Sequence, residues 1–188
     1  RKNNSIWRVT WKYSSSMERT TFNDYYKCYI ITSSKRFGNT ISDIIADKIR
    51  PSILIKTNEK FNSTQDISSA LSSILKKSSL YLKKNKPDLM MLVGDRYETF
   101  CIGLACLIMN IPVAHIHGGE VTEGSYDDNF RHALTKFSHF HFVSNKTFKK
   151  RVIQLGEQPK NVFIVGGLGG DNIKKVKLLG DRYLKDKF

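Results

Sequence analysis

Three carboxylates stand where an alternating α/β chain builds its chemistry. Asp95 follows the apolar run Leu89–Val93, Glu120 lies in the loop after the run Ile111–Ala114, and Asp127 opens the next amphipathic stretch. In an open parallel sheet the ligand crevice lies beyond the carboxyl ends of the strands, near the point where strand order reverses. Arg96 sets a planar, permanent cation beside Asp95, a suitable partner for a phosphate. Carboxylates next to an anion-binding group suit acid–base work on a phosphorylated substrate. Gly118-Gly119, just before Glu120, permits a positive φ or close approach of the backbone to a ligand, and equally an ordinary turn. Plainer readings stay open at this point: a surface ion pair of Asp95 with Arg96, and Asp127 as a helix-capping residue. Glu98 follows Asp95 and Asp128 follows Asp127, so spacing alone does not assign roles to individual carboxylates.

All five histidines (His115, His117, His132, His139, His141) fall within residues 115–141. His115/His117 and His139/His141 are i, i+2 pairs on strands or strand ends, with no cysteine or HExxH-type pattern beside them, so no metal site is expected. The run Gly166-Gly167-Leu168-Gly169-Gly170 lacks the Lys-Ser/Thr of a P-loop and the GxGxxG order after an initial strand. No cofactor is expected.

These residues must be positioned by a βαβ framework, which the apolar periodicity predicts from about residue 39 onward. Strands are predicted at Tyr29–Ile31, Ser52–Ile55, Leu89–Val93, Ile111–Ala114, Phe140–Val143 and Val162–Val165. The continuous run Leu89–Val93 suits a central strand buried on both faces. Between the strands, Ser63-Thr64-Gln65-Asp66 reads as a capping box before Ile67, Ala70, Leu71, Ile74, Leu75 and Leu82, and Lys86-Pro87-Asp88 ends that helix. A second helix turns Phe100, Cys101, Leu104, Ala105 and Ile108 inward and ends at Asn110. A third carries Phe130, Ala133, Leu134 and Phe137 after a long polar loop, and a fourth is capped by Ser144 and stopped by Gly156. Long loops of this kind are usually functional or disordered.

A chain of 188 residues holds one ordinary domain, or one domain and the start of another. No apolar run approaches the ~20 residues of a bilayer span, and the N-terminus lacks the apolar core of a secretory signal, so no membrane partner is expected. Cys28, Cys101 and Cys106 lack metal-ligand spacing, which fits a reducing cytoplasm. The net charge of +14 invites a nucleic-acid reading, but residues 144–188, with 11 basic and 4 acidic groups, hold half of that excess. Most of these lysines lie on helix faces turned to water, so a solvated surface is the expectation and nucleic acid is not an expected partner.

Several words along the chain are more specific. GDRYET (94–99), IPVAHIHGGEVTEGSYDD (111–128), RHALTKFSHFHFVS (131–144), KKRVIQLGE (149–157) and VFIVGGLGGDNI (162–173), with FGNT (37–40), resemble the hydrolysing UDP-N-acetylglucosamine 2-epimerase family. The likeness is to the bacterial branch that supplies precursors of sialic and legionaminic-type sugars. It implies two Rossmann-like, doubly wound parallel α/β domains in a glycosyltransferase-B arrangement, with the sugar nucleotide between them. Residues 1–166 would form the first domain, with 1–36 poorly matched, and 167–188 the hinge and start of a second. Family members eliminate UDP to give a glycal, then add water to release the free sugar with inverted configuration at C2. The resemblance carries catalytic roles to Asp95, Glu120 and Asp127, and substrate binding to Arg96, His117, Gly118, Gly119, Asp128 and Arg131. Some relatives carry glutamate at the place of His117, so His117 shares or replaces part of the role given to Glu120. A homo-oligomer is expected of the full-length form, and this chain alone is expected to be inactive. The stretch 9–19 departs from the family's glycine-containing first loop, which keeps a second reading open: a truncated, non-catalytic remnant or nucleotide-sugar-binding module.

Overall fold

The computed structural model of the chain describes residues 30–33, 53–56 and 63–167. The stretch 9–19, the FGNT word and everything beyond residue 167 lie outside the described residues. Two short strands, β1 (Ile30–Ser33) and β2 (Ile53–Lys56), pair in parallel. There follow α1 (Thr64–Asn85), β3 (Met90–Val93), α2 (Tyr97–Ile108), β4 (Val113–Ile116), α3 (Asp127–Phe137), β5 (Phe140–Val143), α4 (Lys146–Gln154) and β6 (Val162–Ile164). The strands β3, β4, β5 and β6 form an all-parallel sheet in chain order, a Rossmann-like α/β architecture.

Local chemistry accounts for the element ends. The capping box forms as expected: Ser63 Oγ accepts from Asp66 N–H, and the Asp66 carboxylate accepts from Ser63 N–H. The chain leaves α1 through Lys86 in the left-handed region (φ 33°), after which Pro87 cannot continue the helix. At α4 the cap is Asn145, whose side chain accepts from Phe148 N–H at 3.0 Å. Ser144, the expected cap, instead donates its hydroxyl to Glu120. Both residue types cap helices, and the strand end decides which of the two sits at the helix start.

The core lies between the sheet and the helices. Ile74 and Leu82 of α1, Cys101 and Ala105 of α2 and Leu134 of α3 pack with Met90, Leu92 and Val113 of the sheet. Gly103, in the middle of α2, lets α3 come close: a Cβ there would lie 2.4 Å from Leu134 Cδ1. Phe100 bridges to Phe130 and Phe137, with ring centroids 5.1 and 5.6 Å apart. Two expectations change. Ile108 is 66% exposed, because the buried stripe of α2 runs instead through Cys101, Ile102, Ala105 and Cys106. Met91 is 44% exposed, and among the described residues β3 pairs with β4 alone. Among the strands whose side chains are described, β4 is the one buried at every position; it has neighbours on both sides and ends at Ile116 rather than Ala114.

The cap assignment has a direct check. Asn145→Ala should destabilise the chain by about 1 kcal/mol in urea unfolding, since it orphans an N-terminal N–H of α4. Ser144→Ala should leave that cap intact; the reverse order of costs would contradict the assignment.

Candidate active site

The carboxyl ends of β3 and β4 and the start of α3 meet around one side chain, Arg131. Its side chain is 5% exposed. One nitrogen, Nη2, makes a short contact with Asp95 Oδ2 and donates to Thr122 Oγ1 at 2.7 Å. The other, Nη1, donates to the His117 carbonyl at 3.2 Å and lies 3.7 Å from Glu120 Oε2. Nε sits 3.4 Å from Asp128 Oδ1, close enough for an ion pair though not aligned for a hydrogen bond. Asp128 also accepts from Thr122 N–H at 2.9 Å, which ties the long loop to the helix start. Of the expected site residues, Asp95, Glu120, Asp128, Arg131 and His117 therefore converge.

Asp127 and Arg96 are engaged elsewhere. The Asp127 carboxylate accepts from Ser125 Oγ at 2.8 Å, and its N–H donates back to the same hydroxyl. Arg96 forks onto Glu98 through two hydrogen bonds of 3.0 and 2.8 Å, so the cation next to Asp95 is paired with the carboxylate two residues further on. Burial works against the charge on Arg96, and the hydrogen bonds and charge of Glu98 more than offset it, raising its pKa above the ordinary guanidinium value.

The paired glycines are required by packing against the protein itself. A Cβ on Gly118 would lie 3.1 Å from His115 Nδ1 and 3.2 Å from Thr135 Oγ1. Gly119 has φ +75°, and a Cβ there would come within 2.5 Å of the Phe148 carbonyl oxygen. The loop is thus pressed between the strand below and α4. His117 has φ +68° without being a glycine. Its Nδ1 lies 2.7 Å from Glu120 Oε1, which also accepts from Ser144 Oγ at 3.1 Å. Burial disfavours a charged Glu120, but the hydrogen bonds from His117 and Ser144 and the Arg131 charge outweigh it and hold the carboxyl below its usual value.

Beneath this layer lies His115, placed inside β4 by the two-residue shift of the strand end. It is fully buried, with Nε2 2.9 Å from the Gly94 carbonyl and Nδ1 3.2 Å from Thr135 Oγ1. A carbonyl only accepts, so Nε2 carries the proton. His115 therefore braces the turn that presents Asp95 and, through Thr135, the helix that presents Arg131. His115, Thr122, Thr135 and Ser144 were not singled out as site residues from sequence; a Ser or Thr reveals a long-range partner only once the strands are aligned. Among the described residues no group of three His, Cys, Asp or Glu side chains is placed to hold a metal ion, and no helix is long and apolar enough to cross a membrane.

Burial pushes the pKa of His115 down to about 3, well under the ~6.5 of an unfolded chain. A depressed histidine stabilises the fold while neutral, so its contribution is full above about pH 6.5 and is lost as pH falls toward 3. Stability should drop on acidification with a slope of up to about 1.4 kcal/mol per pH unit from this one group. Urea unfolding of His115→Gln should show a shallower slope between about pH 6 and 4. An unchanged slope would show that His115 is not the buried neutral group.

Comparison with known proteins agrees with this architecture. The family model described as UDP-N-acetylglucosamine 2-epimerase matches residues 22–187, starting before the FGNT word. A GDP/UDP-N,N'-diacetylbacillosamine 2-epimerase (hydrolyzing) of Campylobacter jejuni is 39% identical over 157 residues, 81% of this chain and 39% of that protein. A polysialic acid biosynthesis protein of Escherichia coli is 39% identical over 152 residues, again 81% and 39% of the two chains. This chain thus spans 39% of the length of both curated relatives. The solved UDP-GlcNAc 2-epimerase of Neisseria meningitidis, bound to UDP-GlcNAc, shares the fold with a TM-score of 0.67 at 20% identity, over 85% of this chain and 44% of that one. With a match that runs nearly end to end and a shared parallel fold, the chain belongs to the UDP-N-acetylglucosamine 2-epimerase family.

Proposed function

We propose that this chain is the N-terminal portion of a hydrolysing UDP-sugar 2-epimerase, acting on UDP-N-acetylglucosamine or a related UDP-diacetamido sugar. Residues 1–166 form the first domain in this reading, and 167–188 the hinge into a second. The observation that carries it is the convergence of Asp95, Glu120, Asp128 and His117 on the buried Arg131 at the carboxyl edge of the sheet. Such a set can move protons at a sugar carbon in a partly dry environment, where positioned charges act more strongly than in water. Asp95 and the Glu120–His117 pair carry proton transfer in this proposal. In this reading Asp127 is a further catalytic carboxylate, Arg96 binds substrate, and Gly118 and Gly119 shape the loop.

The reaction is an elimination followed by hydration. The C2–H electron pair becomes the C1=C2 bond while the C1–O bond breaks, its pair leaving on UDP. Water then supplies a hydroxyl to C1 and a proton returns to C2 from the opposite face. The cytoplasm is the proposed compartment, which suits the buried thiol of Cys101. A homo-oligomer is proposed for the full-length form.

Holding the diphosphate and the reacting carbon in one geometry supplies roughly 7 to 11 kcal/mol of barrier lowering. In the proposed arrangement that geometry needs both domains. A coupled UDP-release assay with UDP-N-acetylglucosamine on the 188-residue chain should therefore give no sustained turnover. Sustained turnover that disappears in Asp95→Asn would overturn the two-domain reading. In protein carrying both domains, Asp95→Asn should lower turnover by roughly 100-fold or more, with a smaller change in substrate binding. The alternative of a non-catalytic binding module predicts nucleotide-sugar binding with no UDP release in either form.

A further inference from the structure

We propose that Tyr126 is a specificity-determining residue of the site, whose exposed ring packs against the C–H face of the pyranose in the sugar nucleotide. The assignment rests on the epimerase reading above, and it deepens that reading by giving the sugar, as distinct from the nucleotide, an apolar contact on this chain. Three features of one ring carry it: its place, its support and its open face.

Ligand sites combine a few polar groups that fix orientation with apolar and aromatic walls that supply contact area. The groups gathered around Arg131 are all polar. The loop that carries several of them also exposes two large apolar side chains, Val121 at 45% and Tyr126 at 56%. Val121 lies between Glu120 and Thr122, both of which approach Arg131, and Tyr126 directly precedes Asp127 and Asp128. Because α3 leads back to the start of β5, a strand parallel to β4, it begins at the carboxyl edge of the sheet. Tyr126 therefore stands at the edge where an open parallel sheet takes its ligand.

The ring is held in place. It meets Phe130 edge to face, with centroids 5.8 Å apart and planes at 86°, and Phe130 packs in turn on Phe100 of α2. The backbone is pinned too: the Tyr126 carbonyl accepts from Asn129 N–H at 3.1 Å, and Thr122 N–H, earlier in the loop, is held by Asp128 at 2.9 Å. A side chain fixed before the ligand arrives loses little freedom on binding, so contact with it appears as affinity.

In an edge-to-face pair one ring gives its edge and the other a face, so whichever part Tyr126 plays, Phe130 leaves at least one of its faces uncovered. With more than half of the residue exposed, that face meets solvent. The face of an aromatic ring carries partial negative charge and attracts groups of partial positive charge. A pyranose offers such groups, since each ring carbon bears an electron-withdrawing oxygen or nitrogen that polarises its C–H bond. The diphosphate does not suit this place: Glu120, Asp127 and Asp128 lie along the same loop and helix start, and like charges repel. The uncharged sugar is the part of the ligand that this edge of the site admits.

The test is an NMR titration of the 188-residue chain with UDP-N-acetylglucosamine and, separately, with UDP. Tyr126→Ser should weaken binding of the sugar nucleotide by roughly 10-fold, the scale of one lost apolar contact, and leave UDP binding unchanged. Tyr126→Phe keeps the ring and its seat on Phe130, and should bind both ligands as the unsubstituted chain does. Equal weakening of both ligands by Tyr126→Ser overturns the sugar contact, as does no weakening of either. Loss in Tyr126→Phe would place the contact on the hydroxyl and overturn packing by the ring. Should Tyr126→Ser fail to fold, the Tyr126 ring signals of the unsubstituted chain decide: they should shift with UDP-N-acetylglucosamine and stay in place with UDP, and the same shift with both overturns the proposal. Binding of neither ligand contradicts the epimerase reading itself, whereas binding of both without dependence on Tyr126 leaves that reading standing and removes only this contact.

Discussion

A guanidinium with 5% of its side chain exposed must have anions and acceptors around it, and at Arg131 these come from separate parts of the chain. Burying an unpaired charge costs several kcal/mol, and removing one partner of a buried pair costs about 3–5 kcal/mol. Asp95 comes from the turn after β3, Glu120 and the His117 carbonyl from the loop after β4, and Asp128 from the first turn of α3. None of these segments can move alone without leaving the charge short of a partner. The loop after β4 runs over ten residues without regular structure, and its order depends on this one side chain together with the close fit of Gly118 and Gly119.

The arrangement also sets what chemistry is open to the site. Several carboxylates around a single buried cation make a poor receptacle for a free diphosphate, whose charge would meet theirs. They make a good frame for proton transfer, because each carboxylate is oriented by donors that do not reorganise during reaction. The layer underneath contributes to that rigidity. His115 joins the Gly94 carbonyl to Thr135, so the turn bearing Asp95 and the helix bearing Arg131 are braced by one neutral, fully buried imidazole. Acid that charges His115 would loosen both at once.

What could be read from the sequence was local. The Ser63–Asp66 box, the stop at Lys86-Pro87 and the strand at Leu89–Val93 each depend on residues within a few positions of one another, and each appears within a residue or two of its expected place. Ser144 and Asn145 could not be told apart, since both types cap helices and only the end of β5 decides between them. Ile108 fits a helical period yet faces outward, because the partner helices define which stripe of α2 is buried. At the site, the residue types around 95, 120 and 127 were visible, but the pairing was not. Helix spacing favours Arg131 with Asp127 at i, i+4; the fold pairs it with Asp95, 36 residues away, because β3 and β4 are neighbours. Likewise Gly118-Gly119 could be read as a turn or a ligand contact until the strand and α4 were seen on either side.

The central claim is that Arg131 organises the site through Asp95 rather than through Asp127, one helical turn before it. A double-mutant cycle in urea unfolding, with Arg131→Met, Asp95→Asn and their combination, measures this directly. A buried pair in contact should show a coupling of about 1 kcal/mol or more, within the roughly 0.5–3 kcal/mol range of interacting residues. The parallel cycle with Asp127→Asn should give a smaller coupling, because that carboxylate is held by Ser125. Additive costs for Arg131 and Asp95, or a larger coupling to Asp127, would contradict the account.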